Sequence, residues 1–196
     1  MNIAVVGLGF VGLSMSSVLA SKNYNVIGID IDNQKCSDIR NGLLPLFEPD
    51  LENTLRIGLK KKLTISNNFS LIKNCDMIFV TVGTPQKSNG AIELSMIKKA
   101  TTTIGQIIRK SKKSPIIFIK STVVPGTAEN VILPILEKKS GKKSNRDFGI
   151  ISNPEFLQES NAIRDTKYPH AIVLGGKQSK YMKKAKMFFS KMHPNV

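Results

Sequence analysis

The stretch Asn153-Pro154-Glu155-Phe156-Leu157-Gln158-Glu159-Ser160 sets two carboxylates four residues apart behind an Asn-Pro pair. On a helix, Glu155 and Glu159 would share one face. Chemistry gives such a pair a use. One carboxylate can exchange protons with a reacting group while the other orients water. Crowding the two together raises one of their proton affinities, which suits acid/base work near neutral pH. The plainer reading is two solvated carboxylates at a helix start, where negative charge suits the dipole. Pro154 either fixes the approach of the chain to the pair or is an ordinary turn proline.

A second chemistry-bearing stretch sits near the N-terminus. Gly7, Gly9 and Gly12 of GLGFVG have G-x-G-x-x-G spacing. Gly7 permits a tight turn, Gly9 lets backbone approach a pyrophosphate, and Gly12 lets a helix pack closely on a strand. The helix start, at Phe10 and Val11, then offers free N–H groups to phosphate. The hexapeptide alone is weak, but an acid about 20 residues on strengthens it, because that acid can hold a ribose 2′-hydroxyl and repel a 2′-phosphate. Asp30 and Asp32 compete for this role. Asp30 ends the apolar run NVIGID and is the better placed. Lys35 could reach the same adenosine end. The expected cofactor is NAD rather than NADP.

These groups need elements to hold them. Apolar runs at 2–6, 25–30, 63–66, 76–82, 115–120, 147–152 and 171–175 read as strands. Most are continuous Val/Ile/Phe rather than alternating, as expected of strands buried on both faces of a parallel sheet. Helical patterns at 12–22, 33–41, 48–61, 94–110, 127–139 and 179–192 intervene. The alternation predicts an α/β fold: a doubly wound, mainly parallel, Rossmann-like sheet with helices on both faces. Residues 1–196 are read as one NAD-binding unit. Pro134 should kink or split the helix that contains it. In open parallel sheets, ligands sit at the carboxyl ends of the strands. Those ends carry Thr84 and Pro85, Ser121 and Thr122, and the NPEFLQES stretch, on the same edge as the glycine loop.

Composition narrows the partners. Lys+Arg total 29 against 14 Asp+Glu, a net charge of +15. That balance suits nucleic acid, an anionic membrane or a phosphorylated small molecule. The clusters at 60–62, 110–113 and 138–146 fall between apolar segments and read as solvated loops. With no Trp and three Tyr, the chain lacks the aromatics that a single-strand binder interleaves with its cations, so no nucleic-acid partner is expected. No apolar run reaches the length of a membrane span. Met1 leads directly into a strand without a basic leader or cleavage site, so no signal peptide is expected. Cys36 and Cys75 match no metal or redox spacing. Reduced thiols in a cytoplasmic protein, with no metal site, are the simple reading.

The segments VVGLGFVG, GIDID, PLFEPDLE, VTVGTP with AIELS, KSTVVPGT and NPEFLQESNAIRD together resemble the nucleotide-sugar 6-dehydrogenases, the UDP-glucose/GDP-mannose dehydrogenase family. The resemblance runs from residue 1 to about 176. It implies two successive NAD-dependent oxidations that turn a sugar C6 alcohol into a carboxylate. In the family a cysteine traps the aldehyde, the second oxidation leaves a thioester, and water hydrolyses it. Carried onto this sequence, Val11, Asp30, Lys35, Thr84, Thr122 and Glu159 would contact NAD. Glu155 would be the general acid/base of hydrolysis. Glu155, Phe156, Leu157 and Glu159 would touch the substrate, and Thr122 and Glu159 would help to hold a water. KSTVVPGT leans toward UDP-glucose as the substrate, with UDP-N-acetylmannosamine as the neighbouring specificity. A non-catalytic NAD-binding module is the alternative of a different class. Full-length members are expected to be homodimers.

The chain departs from the family at several points. Phe47-Glu48-Pro49-Asp50 stands where Tyr-Glu-Pro-Gly is usual, and Pro169-His170-Ala171 where Pro-Asp-Arg is frequent. His170, between two apolar segments at the start of an expected strand, is not read as a catalyst. The family's central helix, with its substrate-binding Lys and Asn, its nucleophilic cysteine and its second α/β domain lie beyond the length of this sequence. The expectation is that these 196 residues alone are inactive. Neither cysteine is placed to substitute: Cys36 falls on the adenosine side, and Cys75 precedes a strand.

Overall fold

The computed structural model describes residues 1–196. Six strands form one sheet in the order β3-β2-β1-β4-β5-β6, and every pairing is parallel. They are β1 (Asn2–Val6), β2 (Asn25–Ile29), β3 (Leu63–Ser66), β4 (Met77–Val80), β5 (Ile116–Ile119) and β6 (Gly149–Ser152). The chain reverses direction across the sheet between β1 and β4, which opens a crevice at their carboxyl ends.

The unbroken apolar runs are explained by the two faces. Ile3 and Val5 of β1, Phe79 of β4 and Phe118 of β5 join one core cluster. Their neighbours Ala4, Val6, Ile78 and Ile117 join the other. The first face is covered by α1 (Phe10–Ser21), α3 (Leu51–Lys61) and α7 (Lys180–Met192). The second is covered by α4 (Ser95–Arg109) and α5 (Leu133–Ser140). Phe79 and Phe118 stack with centroids 4.4 Å apart, and Phe189 of α7 meets both rings edge-on. Fully burying each such side chain contributes about 1.5–3 kcal/mol, and α7 also buries Tyr181, Met182, Ala185, Phe188 and Met192. The remaining helices, α2 (Asn33–Arg40) and α6 (Ala162–Lys167), are short.

Pro134 does not split its helix, which changes type just before it instead. A π-helical stretch, Ala128–Ile132, gives way to the α-helix at Leu133, with the proline in the first turn. The third long helix starts at Leu51 rather than at 48. Asp50 precedes it with φ 62°, in the left-handed region. Glycine adopts that conformation freely and aspartate only at a cost. The Gly-to-Asp departure in FEPD therefore falls on the one residue of that turn where side-chain identity matters to the backbone.

Two further expectations are corrected. The run 171–175 is not a strand. It returns antiparallel beside β6 and pairs only through the Ser152–Gly175 bridge. The Asn153 side chain donates to the Val173 carbonyl at 2.9 Å and so occupies the next acceptor that a ladder would use. Ile172 and Leu174 still pack on the core, and this gave the run its strand-like composition. Nor do Glu155 and Glu159 share a helix face, because residues 153–158 have no regular structure and α6 begins only at Ala162. Glu155 turns its carboxylate back to accept from the Leu157 N–H at 2.6 Å. Such a local side-chain turn competes with helical hydrogen bonding.

Candidate active site

The turn after β1 is built from its glycines. Gly7 has φ +100°. A Cβ on Gly12 would collide with the Gly7 carbonyl oxygen, so the first turn of α1 can lie against the loop only as glycine. Thr81, just past β4, donates its hydroxyl to the carbonyls of Gly7 (2.7 Å) and Val6 (3.0 Å) and ties the loop to the neighbouring strand. Gly9 is different: a Cβ there would meet nothing within 4 Å. Its surroundings are open groove. No side chain caps the start of α1, which leaves its first N–H groups for an anion.

Asp30 lies across this loop at the end of β2 and is buried. Its carboxylate accepts from Leu8 N (2.7 Å), Asp32 N (3.0 Å) and Lys35 Nζ (3.1 Å). The competing acid, Asp32, is spent as the N-cap of α2, accepting from Lys35 N at 3.0 Å. Both aspartates line the groove, but Asp30 is the one bonded to the glycine loop and to Lys35.

The groove holds about 930 Å³ and runs along the carboxyl ends of β1, β2, β4 and β5. Gly7, Gly9, Phe10, Val11, Asp30, Lys35, Thr84, Ser121, Thr122 and Glu155 all line it. An open cradle at Gly9, an uncapped helix start and a carboxylate at the end of β2 fit a dinucleotide. At the far end the polar residues brace one another. Ser121 donates to the Val82 carbonyl at 2.6 Å, and Thr84 donates to the Thr122 carbonyl at 2.6 Å. Their hydroxyl protons are used, and their oxygens remain as acceptors.

A smaller cavity of about 60 Å³ adjoins this end, lined by Pro154, Phe156, Leu157, Asp165, His170 and His193 among others. Glu155 and Lys120 line both cavities. Burial pushes the Lys120 ammonium down to about 8, against the opposing pull of Glu155. The position of the Glu155 loop is set from a distance. Glu48, 3 % exposed, accepts from Ser160 N (3.0 Å) and Ala162 N (2.7 Å) and so caps α6.

Some expected residues are not brought together. Gly12 lies behind the groove, in its packing role. Pro85 does not line the groove. Phe156 and Leu157 line the smaller cavity only. Glu159 is exposed and lines neither cavity. His170 lines the smaller cavity, with its ring 5.6 Å from that of Phe156. Sequence reasoning missed Lys120 and Glu48, although both stand in quoted motifs, KSTVVPGT and PLFEPDLE. It also missed the far wall, Met96, Lys99 and Thr103 on α4. The thiols are remote from any such chemistry. Cys36 is fully buried, with Sγ 3.6 Å from the Asp30 carbonyl, and burial raises its proton affinity. Cys75 precedes β4 at the opposite edge, and burial pushes it up to about 11.

The chain is similar to known proteins. The family model for the UDP-glucose/GDP-mannose dehydrogenase family, NAD binding domain, matches residues 1–193. The chain is 42% identical over 177 residues to GDP-mannose 6-dehydrogenase of Pseudomonas syringae pv. tomato, covering 89% of this chain and 40% of that protein. It is 33% identical over 175 residues to a UDP-glucose 6-dehydrogenase of Haloferax volcanii, covering 89% of this chain and 41% of that protein. Among solved structures it superposes on a ternary complex of GDP-mannose dehydrogenase from Pseudomonas aeruginosa. The TM-score is 0.93 at 35% identity, covering 100% of this chain and 44% of that one. The chain thus spans about two fifths of the length of these relatives. With a family match over nearly every residue and the dinucleotide groove that the family's description requires, the chain belongs to the UDP-glucose/GDP-mannose dehydrogenase family, as its NAD-binding domain.

Proposed function

We propose that these residues serve an enzyme that oxidises the C6 alcohol of a nucleoside-diphosphate hexose to a carboxylate in two steps. The observation that carries this reading is the position of Glu155: a loop after β6 delivers a carboxylate into the groove that the glycine loop and Asp30 begin. NAD bound there supplies the hydride acceptor for each oxidation. Asp30, with Lys35 beside it, holds the adenosine ribose, and the N–H groups around Phe10 and Val11 receive the pyrophosphate. Thr84, Ser121 and Thr122 offer acceptors to the nicotinamide end.

Glu155 is the general acid/base of the hydrolytic phase, with Phe156 and Leu157 against the substrate on the smaller-cavity side. Glu159, exposed here, reaches a water shared with Thr122 only when its loop turns toward the groove. The family's nucleophilic cysteine is supplied by neither buried thiol, so these 196 residues alone should not turn over substrate. Assembly as a homodimer and a cytoplasmic location belong to the same proposal.

Among hexoses, GDP-mannose is the better supported, on 42% identity to a GDP-mannose enzyme against 33% to a UDP-glucose enzyme and 37% to a putative one. KSTVVPGT favours UDP-glucose, which is the second reading. Steady-state NADH production by the chain with the rest of the family architecture in place, given GDP-mannose or UDP-glucose, separates the two. In that protein Glu155→Gln should slow hydrolysis about 10²–10⁴-fold and leave a burst of NADH with a covalent enzyme–sugar adduct visible by mass spectrometry. Turnover at the wild-type rate would return Glu155 to a solvated loop carboxylate.

A further inference from the structure

Lys120 is the first residue past β5, half-buried, with its side chain between the dinucleotide groove and the smaller cavity. Its position is unusual among the chain's many cations. A buried ammonium normally has a carboxylate against it, and none of the five ion pairs in the structure involves Lys120. Its one hydrogen bond is long, 3.4 Å to Asn153 Oδ1. Asn153 is itself buried and fixed by its bond to the Val173 carbonyl. No other hydrogen bond engages the ammonium, and the side chain lines both cavities. Glu155 is the only other residue that lines both cavities. The pair is coupled across the junction without touching.

We propose that Lys120 is a positioning residue of this site: its ammonium is the counter-charge of Glu155 where the two cavities meet, so that proton exchange at the carboxylate is tied to the charge on the lysine. This rests on the reading of Glu155 as the acid/base. The coupling has a chemical use. The carboxylate favours the charged lysine, and the ammonium, with only one long hydrogen bond of its own, can hold oxygen of the substrate at the carbon being oxidised. The other walls do not displace Glu155 from this role. Asp165 on α6 and His170 after it line only the smaller cavity. His193 beyond α7 is held below its usual range by burial, so it is neutral at physiological pH. On the groove side, the Asp30 carboxylate is already paired with Lys35.

Competitive trace acetylation of the 196-residue chain with acetic anhydride, from about pH 6 to pH 10, tests this by mass spectrometry at each lysine. Lys120 should take up label with a midpoint near 8, well below exposed lysines such as Lys60. In Glu155→Gln the midpoint should fall, because the charge that favours the ammonium is gone. Labelling at pH 7 should then be roughly three- to tenfold faster, tenfold corresponding to one pKa unit. Glu155→Asp should restore the midpoint. Saturating NADH should protect Lys120 and leave Lys60 unchanged. Labelling of Lys120 alongside the surface lysines would overturn the proposal. So would an unchanged midpoint in a Glu155→Gln chain that still binds NADH, or full reactivity under NADH. If the midpoint moves while Glu155→Gln keeps wild-type turnover in the longer protein, the coupling stands and the catalytic reading of Glu155 fails.

Discussion

The two halves of the crevice are built in opposite ways. The glycine-loop half is mainly local: Gly7, Gly9, Gly12 and Asp30 belong to one strand–helix–strand unit, and apart from the Thr81 hydroxyl on Gly7 and Val6 its side-chain bonds close over short stretches of chain. Leu8 N reaches Asp30 at 2.7 Å across 22 residues. The Glu155 half is remote. Its loop hangs on Glu48, which reaches Ser160 and Ala162 across 112 and 114 residues, and on Asn153, which ties it to Val173. A local half can be set by a short motif. A remote half exists only once the sheet has formed and brought its pieces together.

Within the local half, Gly12 and Gly9 make the sharpest contrast. Gly12→Val should be the most damaging substitution, because the side chain must displace the Gly7 carbonyl. Overpacking of that kind costs about 3 kcal/mol or more, a fall in Tm of roughly 6–12 °C by calorimetry for a chain of this size. Gly9→Ala should leave Tm unchanged, since nothing lies within 4 Å of the added Cβ. It should instead weaken NADH binding at least roughly tenfold, by filling the cradle that the cofactor uses. Equal losses of stability in both variants would break the distinction between a packing glycine and a cofactor glycine.

The remote half predicts a milder and separable effect. Glu48→Gln keeps one acceptor but replaces the other with a donor opposite an N–H. It should cost about 1–3 kcal/mol in urea unfolding and leave NADH affinity near wild type. A variant as stable as wild type would mean that α6 does not depend on this cap.

Another effect is written in pH. Burial holds Lys120 near 8 in the fold, against 10.5 ordinarily. Between those values the unfolded chain binds more protons, so stability rises with pH across that window. The stability of the wild-type chain, measured relative to Lys120→Met, should therefore improve as pH rises from about 8 to 10.5. A flat difference would place the ammonium in water.

The same contrast decides what was legible in the sequence. The central strands were readable because they are apolar on both faces, the edge strand β3 because Leu63 and Ile65 alternate with Thr64 and Ser66, and Asp30 because it follows β2 at a fixed offset from the glycines. The run 171–175 misled because Ile172 and Leu174 are buried as strand residues would be, yet the ladder stops where Asn153 takes its acceptor. The Glu155–Glu159 spacing misled for a similar reason. Helix periodicity describes a free helix, while Glu155 bonds its own loop and Glu48 sets the real helix start beyond it. Lys120 was hidden among 29 Lys and Arg, because its burial comes from elements far along the chain.

The account turns on the claim that the groove is an NAD groove whose choice of cofactor is made by Asp30. Titration of the chain against NADH and NADPH, followed by the cofactor's own fluorescence, tests it directly. NADH should bind at least roughly tenfold more tightly, since a charged hydrogen bond of about 1.5–3 kcal/mol is gained with the ribose hydroxyl and replaced by repulsion with the phosphate. Asp30→Ala should erase most of that preference. NADPH binding as tight as NADH to the wild-type chain would contradict the account.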